Sequence, residues 1–205
     1  MEQISPTRTE LLTRRAQIRL AEQGAKLLRG KREALVREFL EEIRSFRSDR
    51  DQMMRNLKQA SQSLMRSIAI DSPEAVRSVG LATMRSVEIE IEEQNIWGTR
   101  VAEVTSPFTL RDPDEREYAL TAVSARIDET VNEFEKTVES IIRVAPKFHK
   151  LGRLAEEIRK TSRRVNALEQ RLLPDLKEQV GYIRTVLDQR EREDIFRLKR
   201  IKQKR

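Results

Sequence analysis

The 205 residues are 37% charged and only 4% aromatic, with six glycines, six prolines and no cysteine. So few aromatics and chain breakers exclude a compact β or α/β domain and fit long, charged helices. The missing cysteines exclude a disulfide framework, a thiolate nucleophile and a cysteine-ligated metal. Net charge is +7 but uneven: residues 1–70 carry 15 basic and 9 acidic side chains, residues 71–117 carry 5 and 11, and residues 118–205 carry 21 and 14. The opening "MEQISPTRTELL" has no apolar signal core and no run approaches a membrane span, so the chain reads as soluble and intracellular.

The first predicted element is a long helix over residues 1–70. Ser5-Pro6 offers a cap with proline at the first helical position, and Thr7-Arg8-Thr9-Glu10 offers a competing capping box. Positions 18, 21, 25, 28, 32, 35, 39, 43, 46, 50, 53, 57, 60 and 64 alternate three- and four-residue steps, and only Arg32 and Arg50 among them are not apolar. Such spacing predicts a coiled-coil seam. The successive four-residue steps from Leu35 to Phe39 to Ile43 predict a stutter that locally unwinds it.

Residues 71–112 form the second segment. Asp71-Ser72-Pro73-Glu74 starts a new, short helix. Val87, Ile89 and Ile91 then alternate with Glu88, Glu90 and Glu92, the pattern of a half-buried strand. A second strand near 99–104, after Asn95 and Gly98, completes a β-hairpin over about 86–104. Trp97, the one tryptophan, either anchors the hairpin from beneath or meets a partner; Val101 belongs to the same apolar set.

Asp112-Pro113-Asp114-Glu115 predicts the start of a last long helix over residues 113–205. Val123, Ile127, Val131, Phe134, Val138 and Ile141 carry its stripe, which resumes at Leu151 and continues through Val165, Leu168, Leu172, Leu176, Val180 and Ile183. Pro146 and Pro174 interrupt it, at about 3 kcal/mol each for a helix interior. The fold class is therefore mainly α: an antiparallel coiled coil of the N- and C-terminal helices, with a short helix and a hairpin between. That arrangement places "RRAQIRL" beside "RLKRIKQKR" and concentrates Arg14, Arg15, Arg19, Arg190, Arg192, Arg197, Lys199 and Arg200 at one basic end.

No catalytic constellation emerges. "GAKLLRGKR" misses the phosphate-loop spacing by one residue, puts Arg32 where serine or threonine is needed, and lies within a helix. His149, the sole histidine, has no second ligand at metal spacing. No cofactor or metal is expected, and arginines matched by glutamates without interleaved aromatics argue against nucleic acid.

Three stretches, "SPTRTELLTRRAQIRLAEQGAKLLRGKREALVREFL", "EEIRKTSRRVNALEQRLLPDLKEQVGYI" and "EREDIFRLKRIK", resemble the D subunit of the V-type (A/V-type) ATPases. The specific marks are the Pro-Thr-Arg start, Gly-Lys-Arg-x-x-Leu, Arg-Arg-Val-Asn-Ala-Leu-Glu and Arg-Leu-Lys. The resemblance implies a non-catalytic rotor shaft whose paired termini enter a ring of catalytic A and noncatalytic B subunits. Its other end would meet the F subunit and the C (d) socket on the membrane rotor, in a hetero-oligomeric complex peripheral to the membrane on the cytoplasmic side. Ile89, Ile91, Trp97 and Val101 would then lie in a coupling hairpin, and Pro174 would curve the shaft so that Arg163 and Arg164 meet carboxylates of the ring. The stretch "VAPKFHKL" departs from the family's pattern. A coiled-coil adaptor or stalk of another assembly, such as an export apparatus, would show the same stripes and charged ends.

Overall fold

The computed structural model describes residues 5–84, 89–104, 118 and 123–203. In chain order these form α1 (Arg8–Asp71), α2 (Pro73–Ala82), β1 (Ile91–Ile96), β2 (Thr99–Val104), α3 (Ala125–Ala167), a π-helical turn (Leu168–Leu172) and α4 (Leu173–Gln203). Two compact units result, one of residues 1–34 with 158–205, the other of residues 35–157.

Local chemistry accounts for the helix starts. Glu10 N–H donates to Thr7 Oγ1 at 3.2 Å, so the threonine of the capping box sets the start of α1. Ala75 N–H donates to Ser72 Oγ at 3.4 Å, with Pro73 at the first position of α2. Ser124 caps α3, its Oγ accepting from Ile127 N–H at 3.4 Å. The start expected at Asp112-Pro113 lies outside the described residues, as does Val87; the long helix itself begins at Ala125.

In the unit of residues 35–157, α1 packs antiparallel on α3. Partner numbers fall on one helix as they rise on the other: Glu42 with Lys150, Asp49 with Lys147, Ser63 with Thr130, and Asp71 with Arg126. The seam of α1 runs through Leu35, Phe39, Glu42, Phe46, Asp49, Met53, Asn56, Ala60, Ser63 and Ser67, all buried or half-buried. This is an unbroken heptad pattern, so the predicted stutter is absent. Ile43, Arg50 and Leu57, expected in the seam, are exposed. Polar residues such as Glu42, Asp49 and Ser63 enter the seam half-buried and paired across the interface, and the pairing offsets the cost of removing them from water.

The facing side of α3 is polar too. Thr130, Thr137 and Ser140 are buried beside Ile127, Val144, Leu151 and Leu154. Thr137 and Ser140 donate to the carbonyls of Glu133 and Thr137 on their own helix, at 2.8 and 2.7 Å, so their hydroxyls enter the seam satisfied. Ile141, expected on this stripe, is exposed instead. At the end of the pair, Arg126 Nε and Nη2 donate to both carboxylate oxygens of Asp71 at 3.1 and 3.0 Å. That hydrogen bonding holds the Asp71 carboxyl below the usual range. Its contribution is present above the unfolded carboxylate pKa and is lost as pH falls through the lowered value.

The hairpin pairs Ile91 with Val104 through Ile96 with Thr99. Its two-residue turn is Trp97-Gly98, with φ of 51° and 80°. Positive φ at both positions is the turn whose twist matches paired strands. The expected half-buried strand is corrected: Ile89 and Ile91 are exposed and β1 has no fully buried residue. The anchor is Val101, at 2% exposure, while Trp97 at 61% stands clear of the core. Alternation along 87–92 does not distinguish a strand seated on a helix from one facing outward, and β2 is the strand that contributes the anchor.

In the unit of residues 1–34 and 158–205, Ala21, Ala25 and Ala34 are buried on α1, and Val165, Leu173, Leu176 and Ile183 are buried on the returning helix. Arg8 meets Glu191 at 2.6 Å, Glu22 meets Lys177 at 3.1 Å, and Arg29 pairs with Glu169, so the packing is antiparallel. The π turn lies in this unit. Leu173 N–H donates to the carbonyl of Leu168, five residues back. One extra residue is thereby accommodated, and the buried position moves from Leu172, 43% exposed, to Leu173 at 9%. Pro174 follows at once, where the widened turn relieves the clash its ring would make with the carbonyl four residues earlier. Pro146 is accommodated without a break, inside α3.

Candidate functional site

Three regions gather the predicted residues, and none resembles a catalytic centre. The first is the basic end. Arg190 Nη1 donates to the Pro6 carbonyl at 3.3 Å, and Arg8 pairs with Glu191. α4 therefore continues past the start of α1, and residues 192–203 are exposed throughout. They present Arg192, Arg197, Lys199 and Arg200 together with exposed Ile195, Phe196, Leu198 and Ile201. Charge alone does not single out the apolar members, but the sequence "DIFRLKRI" does, with Ile195, Phe196 and Leu198 set among the cations. Arg15 and Arg19 are exposed on α1. Arg14 is turned onto its own helix, Nε donating to Glu10 Oε1 at 2.8 Å and Nη1 to Gln17 Oε1 at 3.3 Å, which removes it from the free cations.

The second region is the π turn. Arg163 and Arg164 are exposed between buried Thr161 and Val165, and make no ion pair among the described residues. Pro174 is exposed directly after the turn. Among the described residues no hydrogen bond or ion pair joins either arginine to Pro174. What the turn brings together is the Arg29–Glu169 pair and the change of buried position from Leu172 to Leu173.

The third region is the face of α3 under the hairpin. A groove is lined by Val101, Ala102 and Val104 of β2, Ile142 and Pro146 of α3, and Glu42 of α1. Beside it stands a ladder of ion pairs. Lys150 Nζ donates to Glu42 Oε2 at 2.6 Å and lies 3.2 Å from Glu38 Oε1. Lys147 Nζ donates to Asp49 Oδ2 at 2.5 Å and to Ser45 Oγ at 2.6 Å, and Arg143 approaches Asp49 at 3.8 Å. Burial pulls the Lys150 pKa down, but hydrogen bonds to Glu42 and Glu38 and the charges of both carboxylates outweigh it and hold the ammonium above its ordinary value. The sequence signal is Lys147 and Lys150 in "VAPKFHKL", opposite Glu38 and Glu42 one turn apart, but only the interhelical register joins them.

Lys150→Met is expected to lower stability by about 1–2 kcal/mol, because two carboxylates lose their shared cation at a partly buried site. The raised pKa gives the sign: the contribution is fully present below the unfolded lysine value of about 10.4 and disappears as pH rises through the folded value. Urea unfolding from pH 6 to 11 checks it, with a gap between wild type and variant that is constant near neutrality and closes above about pH 10.5. A gap that widens in alkali would overturn the assignment.

Among the described residues no group of three metal-capable side chains occurs, and no helix is long and apolar enough to cross a membrane. Comparison with known proteins is more informative. The sequence profile of the family described as the ATP synthase D subunit matches residues 10–203. The chain is similar to the V-type ATP synthase D subunit of Thermus thermophilus, 42% identical over 204 residues covering 100% of this chain and 90% of that one. It is 41% identical over 202 residues to the V-type ATP synthase D subunit of Deinococcus radiodurans, covering 98% and 89%. It is 36% identical over 201 residues to the A-type ATP synthase D subunit of Methanosarcina mazei, covering 98% and 96%.

Proposed function

Because the chain belongs to the family of ATP synthase D subunits, we propose that its basic, apolar tip turns inside a ring of A and B subunits while its other end is held by the F and C (d) subunits. The chain is a non-catalytic central-stalk component of an A/V-type rotary ATPase, linking the catalytic ring to the membrane rotor. Torque passes along it between ATP chemistry and ion translocation, and the complex sits peripherally on the cytoplasmic face of the membrane. The observation that carries the reading of the tip is the run of residues 192–203, which extends beyond the start of α1 with cations and large apolar side chains all exposed. Cations alone would give a salt-sensitive collar; apolar side chains among them add contacts that salt does not screen. The exposed Trp97, held at positive φ, and exposed Ile89 and Ile91 support a contact role for the hairpin.

The test is to tag this chain in its native cell, purify gently from membranes at low ionic strength, identify the co-purifying chains by mass spectrometry and assay ATP hydrolysis. The A, B, F and C subunits together with ATPase activity are the expected result. Recovery of the chain alone, or with an unrelated assembly, would replace the rotor reading with the adaptor one. Two variants then separate the forces at the tip. Deleting residues 195–205 should weaken assembly at both low and high salt, about 50 and about 500 mM, whereas Arg197→Gln with Lys199→Gln and Arg200→Gln should weaken it chiefly at the lower salt. Equal salt profiles for the two variants would remove the apolar contribution.

A further inference from the structure

The corner between α1 and α2 is built under strain. Ser72, the single residue between the two helices, has φ 99° and ψ 147°. That region of backbone space belongs to glycine, and a residue with a side chain stays there only where its surroundings hold it. The ψ value is the one that Pro73 imposes on the residue before it, so the strain lies in φ alone. Rotation about that one bond, to the ordinary negative range, relaxes Ser72 and turns α2 as a body about the end of α1.

The hydrogen bonds at the corner do not oppose this rotation. Ser72 Oγ accepts from Ala75 N–H at 3.4 Å, and the Ser72 carbonyl accepts from Val76 N–H at 3.3 Å. Both acceptors lie on the α2 side of the φ bond, so the cap travels with α2 intact. On the other side, both carboxylate oxygens of Asp71 accept from Arg126 of α3. That pair fixes the end of α1 and confines movement to Ser72.

α2 itself is lightly held. Val79 is its one buried residue. Ala75, Val79 and Ala82 of α2 and Ser124 and Ile127 at the start of α3 line a space of about 440 Å³ between them. Close-packed interiors leave few voids larger than a water molecule, so this contact is loose. The burial of one valine thus works against one strained torsion. The two terms are of the same order, which leaves α2 poised between two positions.

We propose that Ser72 is a strained hinge on which α2 pivots between a position seated on the start of α3 and one lifted away from it. Lifting uncovers Val79 and Ile127, which are 7% and 4% exposed when α2 is seated. Every residue concerned lies in the unit of residues 35–157. The inference stands on backbone geometry and packing and is independent of the rotor reading.

The chain has no cysteine, so spin labels go on Arg77→Cys of α2 and Glu129→Cys of α3, both exposed positions. Pulsed electron–electron double resonance on the full chain then reads the separations between them, and a short and a long one are expected. Ser72→Gly adopts positive φ freely and gives up little of the cap, so it should lower the lifted-to-seated ratio about tenfold. Ser72→Thr keeps the capping hydroxyl, but its branched Cβ makes positive φ harder still, so it should raise the ratio about tenfold. Ser72→Ala removes the hydroxyl without branching and should stay within about twofold of the unsubstituted chain. One unchanged separation across the series would overturn the proposal. So would a ratio that follows the hydroxyl, with Gly and Ala alike and Thr unchanged, or a broad spread of distances in Ser72→Thr, the mark of an unravelled α2. If Ser72→Thr fails to fold, the comparison of Ser72→Gly with the unsubstituted chain still decides the matter.

Discussion

Leu154→Ala is expected to lower the unfolding free energy by about 3 kcal/mol, within the roughly 2–5 kcal/mol typical of removing a buried leucine. Leu154 is fully buried, and the largest fully buried apolar side chains are few: Leu35, Leu154, Ile183, Val101 and Val165. Elsewhere the seam of that unit intersperses its apolar side chains with alanine, serine, threonine and paired charges, which give close approach and specificity but little apolar area to compensate for a lost side chain. Small-domain stability is on the order of 5–15 kcal/mol, so one such substitution is a large fraction of the whole. Thr137→Ala makes the matched control: it deletes a hydroxyl whose hydrogen bond is local, to the carbonyl of Glu133, and should cost less than about 1 kcal/mol. Urea unfolding followed by circular dichroism reads both. A loss below about 1 kcal/mol for Leu154→Ala would mean that the helices close over the cavity and that packing there is loose.

Deleting Gln170 is expected to be tolerated, whereas deleting Glu178 is expected to destabilise the same unit by more than about 3 kcal/mol, the scale of a lost core side chain. The π turn places one residue more between Val165 and Leu173 than two heptad-spaced turns would hold. Removing Gln170 brings Leu173, Leu176 and Ile183 into one regular heptad register with Val165, and the π turn has no further cause. Removing Glu178 instead puts Arg184 where Ile183, fully buried, now stands. Pro174→Ala alone should leave the π turn in place, because the register of the buried residues requires it whatever occupies position 174. Urea midpoints of the three variants decide the matter: equal losses for the two deletions would mean that the turn is not a register correction. In the assembled ATPase, a stable Gln170 deletion with impaired coupling would make the turn functional, and unchanged coupling for it and for Pro174→Ala would make the bend incidental.

These residues also show where a linear reading slips. Apolar spacing follows the α1 stripe correctly from Ala21 to Phe39 and again at Phe46, Met53 and Ala60, but takes Ile43, Arg50, Leu57 and Leu64 in place of Glu42, Asp49, Asn56 and Ser63, which read as surface. Periodicity sees only hydrophobicity, and the true seam turns polar at Glu42, Asp49 and Ser63. The same limit hides the π turn: Leu168, Leu172, Leu176 and Val180 are evenly spaced by four, and Leu172-Leu173 offers two candidates for one buried site. In the candidate site, the arginines and lysines of the tip are legible as a charge cluster, but Arg14's internal pairing and the exposure of Trp97 depend on side-chain geometry.

What the sequence by itself determined was the helical class, a first helix starting within residues 5–10, the cap at Ser72, the position of β2 and the turn at Gly98, and a charge distribution with basic ends. Those features depend on neighbours within a few residues: a hydroxyl three residues before an amide, a proline at a first turn, a glycine where φ is positive. The tertiary structure alone decided which of two adjacent stripes on α1 faces α3, that Leu173 and not Leu172 is buried, and that Lys150 sits between Glu38 and Glu42. Each of those is a choice between alternatives of nearly equal local propensity, and it is settled by what stands across the interface: a cation for Glu42, a hydroxyl for Ser63, and small alanines on α1 in the unit that buries Leu173 and Ile183.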